Sequence, residues 1–105
     1  MTGVIRQGDV LLVPTMRRKL PQGKACEVRD GRLILAYGEA TGHHHSVSVM
    51  DAEMVEAAAG VFLRIMRATP LEHQEHMAHV LEPGVYEVRR QVEYAPKALP
   101  RRVAD

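Results

Sequence analysis

All six histidines of the chain fall into two short stretches, "GHHHSV" and "EHQEHMAH". These histidines are His43, His44, His45, His73, His76 and His79. Neutral imidazole nitrogen is the commonest protein ligand for transition metals, and carboxylate oxygen often joins it. The two stretches therefore predict either one metal site built from two segments, or two polar patches that are rich in imidazole.

The first stretch has the spacing of a strand that presents two imidazoles to one side. Alternate side chains of an extended chain share a face, so His43 and His45 point one way and His44 points the other way. Their Cα atoms are then about 6–7 Å apart, which allows both rings to reach one ion through Nε2 bonds of about 2.0–2.1 Å. Gly42 allows a sharp turn just before them. His43 and His45 are therefore predicted ligands, and His44 is not.

The second stretch offers another pair of ligands at a different spacing. His73 and His76 are three residues apart, which would place them on one face of a helical turn. In an extended segment, His76 and His79 would face opposite sides. We therefore predict His73 and His76 as the second pair, and leave His79 out.

The donor set bears on the metal and on its chemistry. Four protein ligands that fill the coordination shell are typical of a structural site, and three protein ligands with an open position are typical of a catalytic one. Glu39 or Glu75 is predicted as an auxiliary ligand, and Glu39, Glu72 and Glu75 are the candidate general bases for a metal-bound water. With Cys26 as the single thiol, an iron–sulfur cluster is disfavoured. Zinc is the first choice, with iron, manganese, nickel or copper as alternatives, and an open position would support a reaction on a small substrate or a nucleic acid.

The competing interpretation is a metal-free interaction module, such as a phage or defence accessory protein that binds protein or nucleic acid. It predicts an exposed apolar or basic patch, and histidine clusters that stay apart. The net charge of +1, with three tyrosines and one phenylalanine, gives only weak support to nucleic-acid binding. Convergence of the two clusters is therefore the observation that separates the two interpretations.

Composition predicts one globular domain. The 105 residues are 46% hydrophobic and contain one cysteine, as expected for a packed domain in a reducing compartment. An Arg and an Asp lie where a signal peptide would have its apolar stretch, and no apolar run approaches the ~20 residues of a membrane helix. We expect a cytoplasmic protein with a β-rich domain over 1–94 and a C-terminal arm over 95–105. Homo-oligomers are also expected, because short open sheets leave edges that need covering.

Hydrophobic patterning predicts a mainly β fold of about seven short strands. The apolar run 8–14 is typical of a buried strand, and Asp30-Gly31 favours the tight turn of a hairpin between 25–29 and 32–37. Further strands are predicted from the histidine triplet onward, over "GVFLRIMR", and from Val85 to about Tyr94. Together these segments predict a small barrel or a two-sheet sandwich.

Two segments have helical signals. Residues 51–58 are the best helical candidate, because Asp51 can cap a helix there, although an edge strand is the alternative. The stretch that begins at Thr69 and Pro70 has the capping pattern of a single helical turn. The fold is therefore expected to hold at most one short helix.

The H-x-H spacing, a later histidine and a "PG" turn before a closing strand resemble the plan of the cupins, a family of small metal-binding β-barrels. The resemblance implies that His43 and His45 are metal ligands. Cupins have a glutamate a few residues after H-x-H, where this chain has "VSVM", and a histidine after the "PG" turn, where it has Glu87. The stretches "QGDVLL", "AYGEATGHHH" and "HQEH" are also similar to small uncharacterised bacterial and phage proteins, a resemblance that implies no activity.

Overall fold

The described part of the chain folds into β-strands joined by turns and loops. The computed structural model describes residues 3–37, 43–74 and 76–90, and the backbone of two further strands at 92–93 and 101–102. These ranges contain no helix, and hence none long and apolar enough to cross a membrane. Their strands are β1 (Ile5–Gln7), β2 (Val10–Pro14), β3 (Lys24–Ala25), β4 (Val28–Arg29), β5 (Arg32–Tyr37), β6 (His44–Ser48), β7 (Ala52–Ala57), β8 (Gly60–Ile65), β9 (Thr69–Leu71), β10 (His79–Leu81), β11 (Gly84–Arg90), β12 (Val92–Glu93) and β13 (Arg101–Arg102).

The strands form a sandwich-like arrangement of antiparallel sheets. The largest sheet has the order β1-β2-β11-β8-β7-β3, and a three-stranded sheet has the order β4-β5-β6. The β9–β10 hairpin is joined to β6 by a bridge between Ser46 and Glu72, so it continues that second sheet. Within the described ranges the sheets do not close into a barrel. The predicted mainly β fold is confirmed, in its sandwich form.

The core lies between these layers and follows the two-residue period of the strands. In β2, Val10 and Leu12 are fully buried and the residue between them is not. Val47 of β6 and Leu63 of β8 are also fully buried. Burying a side chain of this size stabilises the fold by roughly 1.5–3 kcal/mol. The buried alternate side chains therefore hold the two layers together.

The hairpin predicted around Asp30-Gly31 is confirmed, with β4 and β5 as its strands. Arg29 pairs with Arg32 across a two-residue turn. Both turn residues have positive φ, 51° at Asp30 and 74° at Gly31. A type I′ turn requires this geometry. The two turn residues therefore set the register between β4 and β5, and β5 in turn pairs with β6.

We expect Gly31→Ala to destabilise the fold by about 1 kcal/mol, because an L side chain is disfavoured at positive φ. A Cβ at Gly31 would meet no atom within 4 Å, so the effect is one of the backbone alone. Urea unfolding followed by circular dichroism measures it. Gly3→Ala is the matched control, since Gly3 also has open space and its φ lies outside the left-handed region. Equal stability of the two variants would contradict the prediction.

The helix predicted at 51–58 is wrong. This segment forms β7, paired on one side with β8 and on the other with β3. Ala52 and Met54 point into the core, and Glu53 between them is exposed beside Arg64 of β8. Pairing on both sides provides partners for the backbone amides and carbonyls, and the alternation of side chains along the strand buries the apolar ones. The segment is therefore a strand despite the helix-capping signal at Asp51.

The helical turn predicted from Thr69 is also wrong, because Thr69–Leu71 is strand β9 and both end residues are buried. The strand predicted from Val85 is found as β11, followed by β12, while Tyr94 lies outside the described residues. Within the predicted C-terminal arm, β13 pairs antiparallel with β12, and the remaining arm residues lie outside the described ones.

Candidate metal centre

One backbone bridge brings the two histidine stretches together. The Ser46 amide donates to the Glu72 carbonyl at 3.0 Å, and the Glu72 amide donates to the Ser46 carbonyl at 2.9 Å. In this antiparallel register the residue before Ser46 lies opposite the residue after Glu72. His45 of β6 therefore faces His73, at the start of the loop that joins β9 to β10.

Four histidine rings form a continuous cluster at this point. The ring centroids of His45 and His73 are 4.4 Å apart, and those of His73 and His76 are 4.5 Å apart. His43 lies 5.8 Å from His73, and His45 lies 5.9 Å from His76. The structure thus brings together the four histidines predicted as ligands, two from each stretch.

The other two histidines lie elsewhere. The His44 ring packs edge-on against Tyr37 at 6.1 Å, and its backbone amide donates to Gln74 Oε1 at 2.8 Å. His79 lies in β10, where it is exposed and pairs with Leu71. Strand alternation therefore separates His44 from its two neighbours, as the sequence predicts.

The helical turn invoked for His73 and His76 is not found. Both residues lie in the loop that follows β9, and the bridge at Glu72 directs this loop back across β6. Their rings are close because the loop is anchored there, not because of a helical period. Glu39 and Glu75, the predicted auxiliary ligands or general bases, lie outside the described residues.

His45 is fully buried and held by an amide side chain that the sequence did not single out. Its Nδ1 lies 2.8 Å from Gln7 Oε1. The Gln7 Nε2 group donates to the carbonyls of Leu71 at 2.9 Å and Met77 at 3.0 Å. Because both amide hydrogens are used there, Oε1 must accept from His45, and Nδ1 carries the proton. In the neutral ring, Nε2 then bears the lone pair that would bind a metal.

On its other side, His45 faces a buried carboxylate. Asp9 is 1% exposed, and its Oδ1 lies 3.6 Å from His45 Nε2. Both the Nε and Nη2 groups of Arg90 donate to Asp9 Oδ2, with Nε at 2.8 Å. Gly8, with φ 58°, makes the tight β1–β2 turn that holds Asp9 there. One signal in the sequence could have pointed to this pair: polar side chains flank a glycine directly before a buried strand.

The cluster also contains buried nitrogen atoms. The Nε2 atoms of His73 and His76 are both buried, and that of His76 has no hydrogen-bond partner among the described residues. Buried polar atoms are normally hydrogen-bonded. In a group of four imidazoles, such an atom is available to an ion or another ligand.

The rings are close together but are not yet arranged around one point. In the described ranges, no three His, Cys, Asp or Glu side chains are placed to hold a metal ion as they stand. His43, His73 and His76 are only partly buried, whereas His45 is fully buried. His45 is the fixed member around which the others would have to turn.

A small polar pocket of about 200 Å³ adjoins the cluster at His73. Arg32 supplies its positive charge, donating to Ser46 Oγ and to the Ser46 carbonyl, each at 3.0 Å, and lying 3.6 Å from Glu72 Oε2. The pocket is large enough for water or a small polar molecule beside the imidazoles. Its lining residues are Arg32, His44, Ser46, Glu72, His73 and Gln74.

The single thiol belongs to another part of the molecule. Cys26 lines a separate cavity of about 260 Å³ with Met54 and Glu56, and shares none of it with the four clustered histidines. Burial, and secondarily the Glu56 carboxylate, raise the pKa of Cys26 above its ordinary value. A raised pKa leaves less thiolate at neutral pH, so Cys26 is suited to packing rather than to nucleophilic chemistry.

Comparison with known proteins places the chain in one family. The DUF8820 family, described as a domain of unknown function, matches residues 6–91, and the chain belongs to it. The matched range includes all four clustered histidines as well as Gln7, Asp9 and Arg90. No curated protein and no solved structure matches the chain. The resemblance to cupins stays a prediction.

Proposed function

We propose that this DUF8820 domain binds a single divalent transition-metal ion through His43, His45, His73 and His76. The observation that carries the proposal is the convergence of these rings, with neighbouring centroids 4.4–5.9 Å apart. Rings bound to one zinc ion have centroids about 5 Å apart, given zinc–nitrogen bonds of 2.0–2.1 Å and tetrahedral angles. Modest ring rotations would turn this spacing into a coordination shell.

One buried nitrogen atom of the cluster supports the same proposal. Polar atoms removed from water cost free energy unless they find partners, and the buried His76 Nε2 has no hydrogen-bond partner among the described residues. A metal ion would compensate the lone pair of this atom. Zinc fits a donor set of this kind best, and iron, manganese, nickel and copper are the alternatives.

The pocket beside His73 bears on whether the site is structural or catalytic. With three of the histidines bound, a remaining position would be open to water or to a small substrate entering through that pocket. Arg32 would favour a substrate with an anionic group. Glu39, Glu72 and Glu75 remain the predicted general bases, and reaction on a small substrate or a nucleic acid remains part of the proposal.

A metal-free interaction module is the second candidate, and one observation favours it. Met77 and Val80 are 84% and 63% exposed, and both belong to the segment that carries the second histidine stretch. Two exposed apolar side chains so close in the chain could contact a partner. Homo-oligomer formation and a cytoplasmic location likewise stay predictions.

Metal analysis of tag-free protein by inductively coupled plasma mass spectrometry tests the proposal. We expect about one equivalent of metal in the wild type, as for a single site, and loss of that metal in the His73→Ala/His76→Ala variant. The matched control is His44→Ala/His79→Ala, which removes one histidine from each stretch but leaves the cluster intact and should keep the metal.

A His43→Ala/His45→Ala variant should lose the metal as well, and circular dichroism must show that each variant is folded. Wild-type protein that contains no metal, and takes up none from micromolar solution, would overturn the proposal and favour the interaction module. Metal that is lost equally from the control variant would place the site outside the cluster.

A further inference from the structure

We propose that Asp9 is an oxygen ligand of the same ion, so that the centre combines imidazole nitrogen with one carboxylate. This inference rests on the metal-binding function proposed above. It adds to the four histidines a ligand from a third segment, the turn between β1 and β2. Nothing in the spacing of the histidines points to this residue.

The distance between two donor atoms is the first argument. Asp9 Oδ1 lies 3.6 Å from His45 Nε2, beyond the usual range of a hydrogen bond. Two neighbouring ligand atoms on one zinc ion are about 2.9–3.3 Å apart, from bonds of 2.0–2.1 Å and the angles of five- or four-coordinate sites. An ion could therefore be shared by these two atoms after a shift of a few tenths of an ångström.

The orientation of the carboxylate is the second argument. Arg90 donates both its Nε and its Nη2 hydrogens to Asp9 Oδ2, which leaves Oδ1 as the oxygen directed at His45. The ligand would therefore be monodentate. Arg90 acts as a positioning residue that holds the carboxylate, as Gln7 holds the imidazole of His45.

The proposed ligands fall into a buried group, whose side chains are held by hydrogen bonds, and a partly exposed group. Asp9 and His45 are 1% and 0% exposed and each is held by a second side chain. His43, His73 and His76 lie on the partly exposed side. A shell of imidazole with one carboxylate favours zinc, iron(II) or manganese(II) and disfavours copper(I), which prefers sulfur ligands. Among the divalent ions considered above, the carboxylate therefore favours zinc, iron(II) and manganese(II).

Cobalt(II) titration of two Asp9 variants tests the assignment. Asp9→Asn should weaken cobalt and zinc binding by at least the ~10–100-fold that loss of an outer partner costs. Asp9→Cys should place a thiolate on the ion and add a thiolate-to-cobalt charge-transfer absorption that is missing from the wild type. Asp51→Asn and Asp51→Cys are matched controls, because Asp51 pairs with Arg67 instead and should change neither readout.

X-ray absorption of the zinc-loaded wild type provides a test that does not depend on how a variant folds. The readout is the number of imidazoles compared with the total of nitrogen and oxygen ligands at about 2.0–2.2 Å, and a shell made of imidazole alone would overturn the role of Asp9. Unchanged affinity in Asp9→Asn, without a thiolate band in Asp9→Cys, would also overturn it while leaving the metal site intact. A wild-type protein that takes up no metal would overturn both proposals together.

Discussion

Arg90→Met is expected to destabilise the protein by about 3–5 kcal/mol, the usual cost of removing one partner from a buried ion pair. Asp9 is 1% exposed and Arg90 is its charge partner, donating two hydrogen bonds to Oδ2. Methionine keeps much of the length and apolar stem of arginine but supplies no charge. The Asp9 carboxylate would then be left in the interior without that compensation.

Arg89→Met is the matched control for this prediction, one residue earlier in the same strand. Arg89 is largely exposed, and its partner among the described residues is Glu87, two residues away. Pairs of this kind contribute about 0–1 kcal/mol. Urea unfolding of both variants, with metal removed by chelation, measures the difference.

A second substitution separates the charge from the packing. Asp9→Asn in the Arg90→Met background should recover part of the lost stability, because it removes the buried negative charge that has lost its guanidinium partner. Equal stability of the two arginine variants, or no recovery in the double variant, would show that the buried pair contributes little to the fold.

Local turn chemistry and alternation are what made the strands predictable. The Asp30-Gly31 hairpin follows from two residues that tolerate positive φ, and the observed angles agree. The failure at 51–58 has a physical cause as well. A six-residue segment with apolar residues two apart fits a strand, but a capping residue and alanines fit a short helix equally well. Only the neighbouring β3 and β8, on either side of β7, decide between them.

In the candidate site, too, some features follow from neighbouring residues and others depend on contacts between distant segments. The face shared by His43 and His45, with His44 turned away, follows from strand alternation and could be predicted. The interaction of His45 with His73 depends on the Ser46–Glu72 bridge, and no local pattern encodes that register.

The residues that hold His45 could not be found from the spacing of the histidines. Gln7 is 38 residues from His45 along the chain, and Arg90 is 81 residues from Asp9. They meet because β2 pairs with β11 and because the β1–β2 turn lies beside β6. Such contacts between distant segments depend on the order of the strands in the sheets. The sequence pattern did not predict this order, because it was compatible with both a barrel and a sandwich.

Gln7→Met is expected to weaken metal binding by about 10–100-fold, the usual effect of losing the partner that orients a histidine ligand. Gln7 Oε1 accepts the hydrogen bond from His45 Nδ1, and so leaves Nε2 as the nitrogen available to the ion. Methionine removes that acceptor and also the donors to the carbonyls of Leu71 and Met77. Cobalt(II) titration measures the affinity, and Gln22→Met, which changes an exposed glutamine in the loop between β2 and β3, is the control.

Gln7→Glu distinguishes orientation of the ring from loss of stability. Like methionine, an ionised glutamate cannot donate to the two carbonyls, and its charge would repel them, so we expect this variant to be no more stable than Gln7→Met. Unlike methionine, glutamate still accepts the hydrogen bond from His45 Nδ1. Metal affinity should therefore be largely retained in Gln7→Glu and lost in Gln7→Met, although both unfold at lower urea than the wild type. Affinities that fall in proportion to stability in the two variants would mean that Gln7 acts on the fold alone, and that the proton on His45 is fixed by something else.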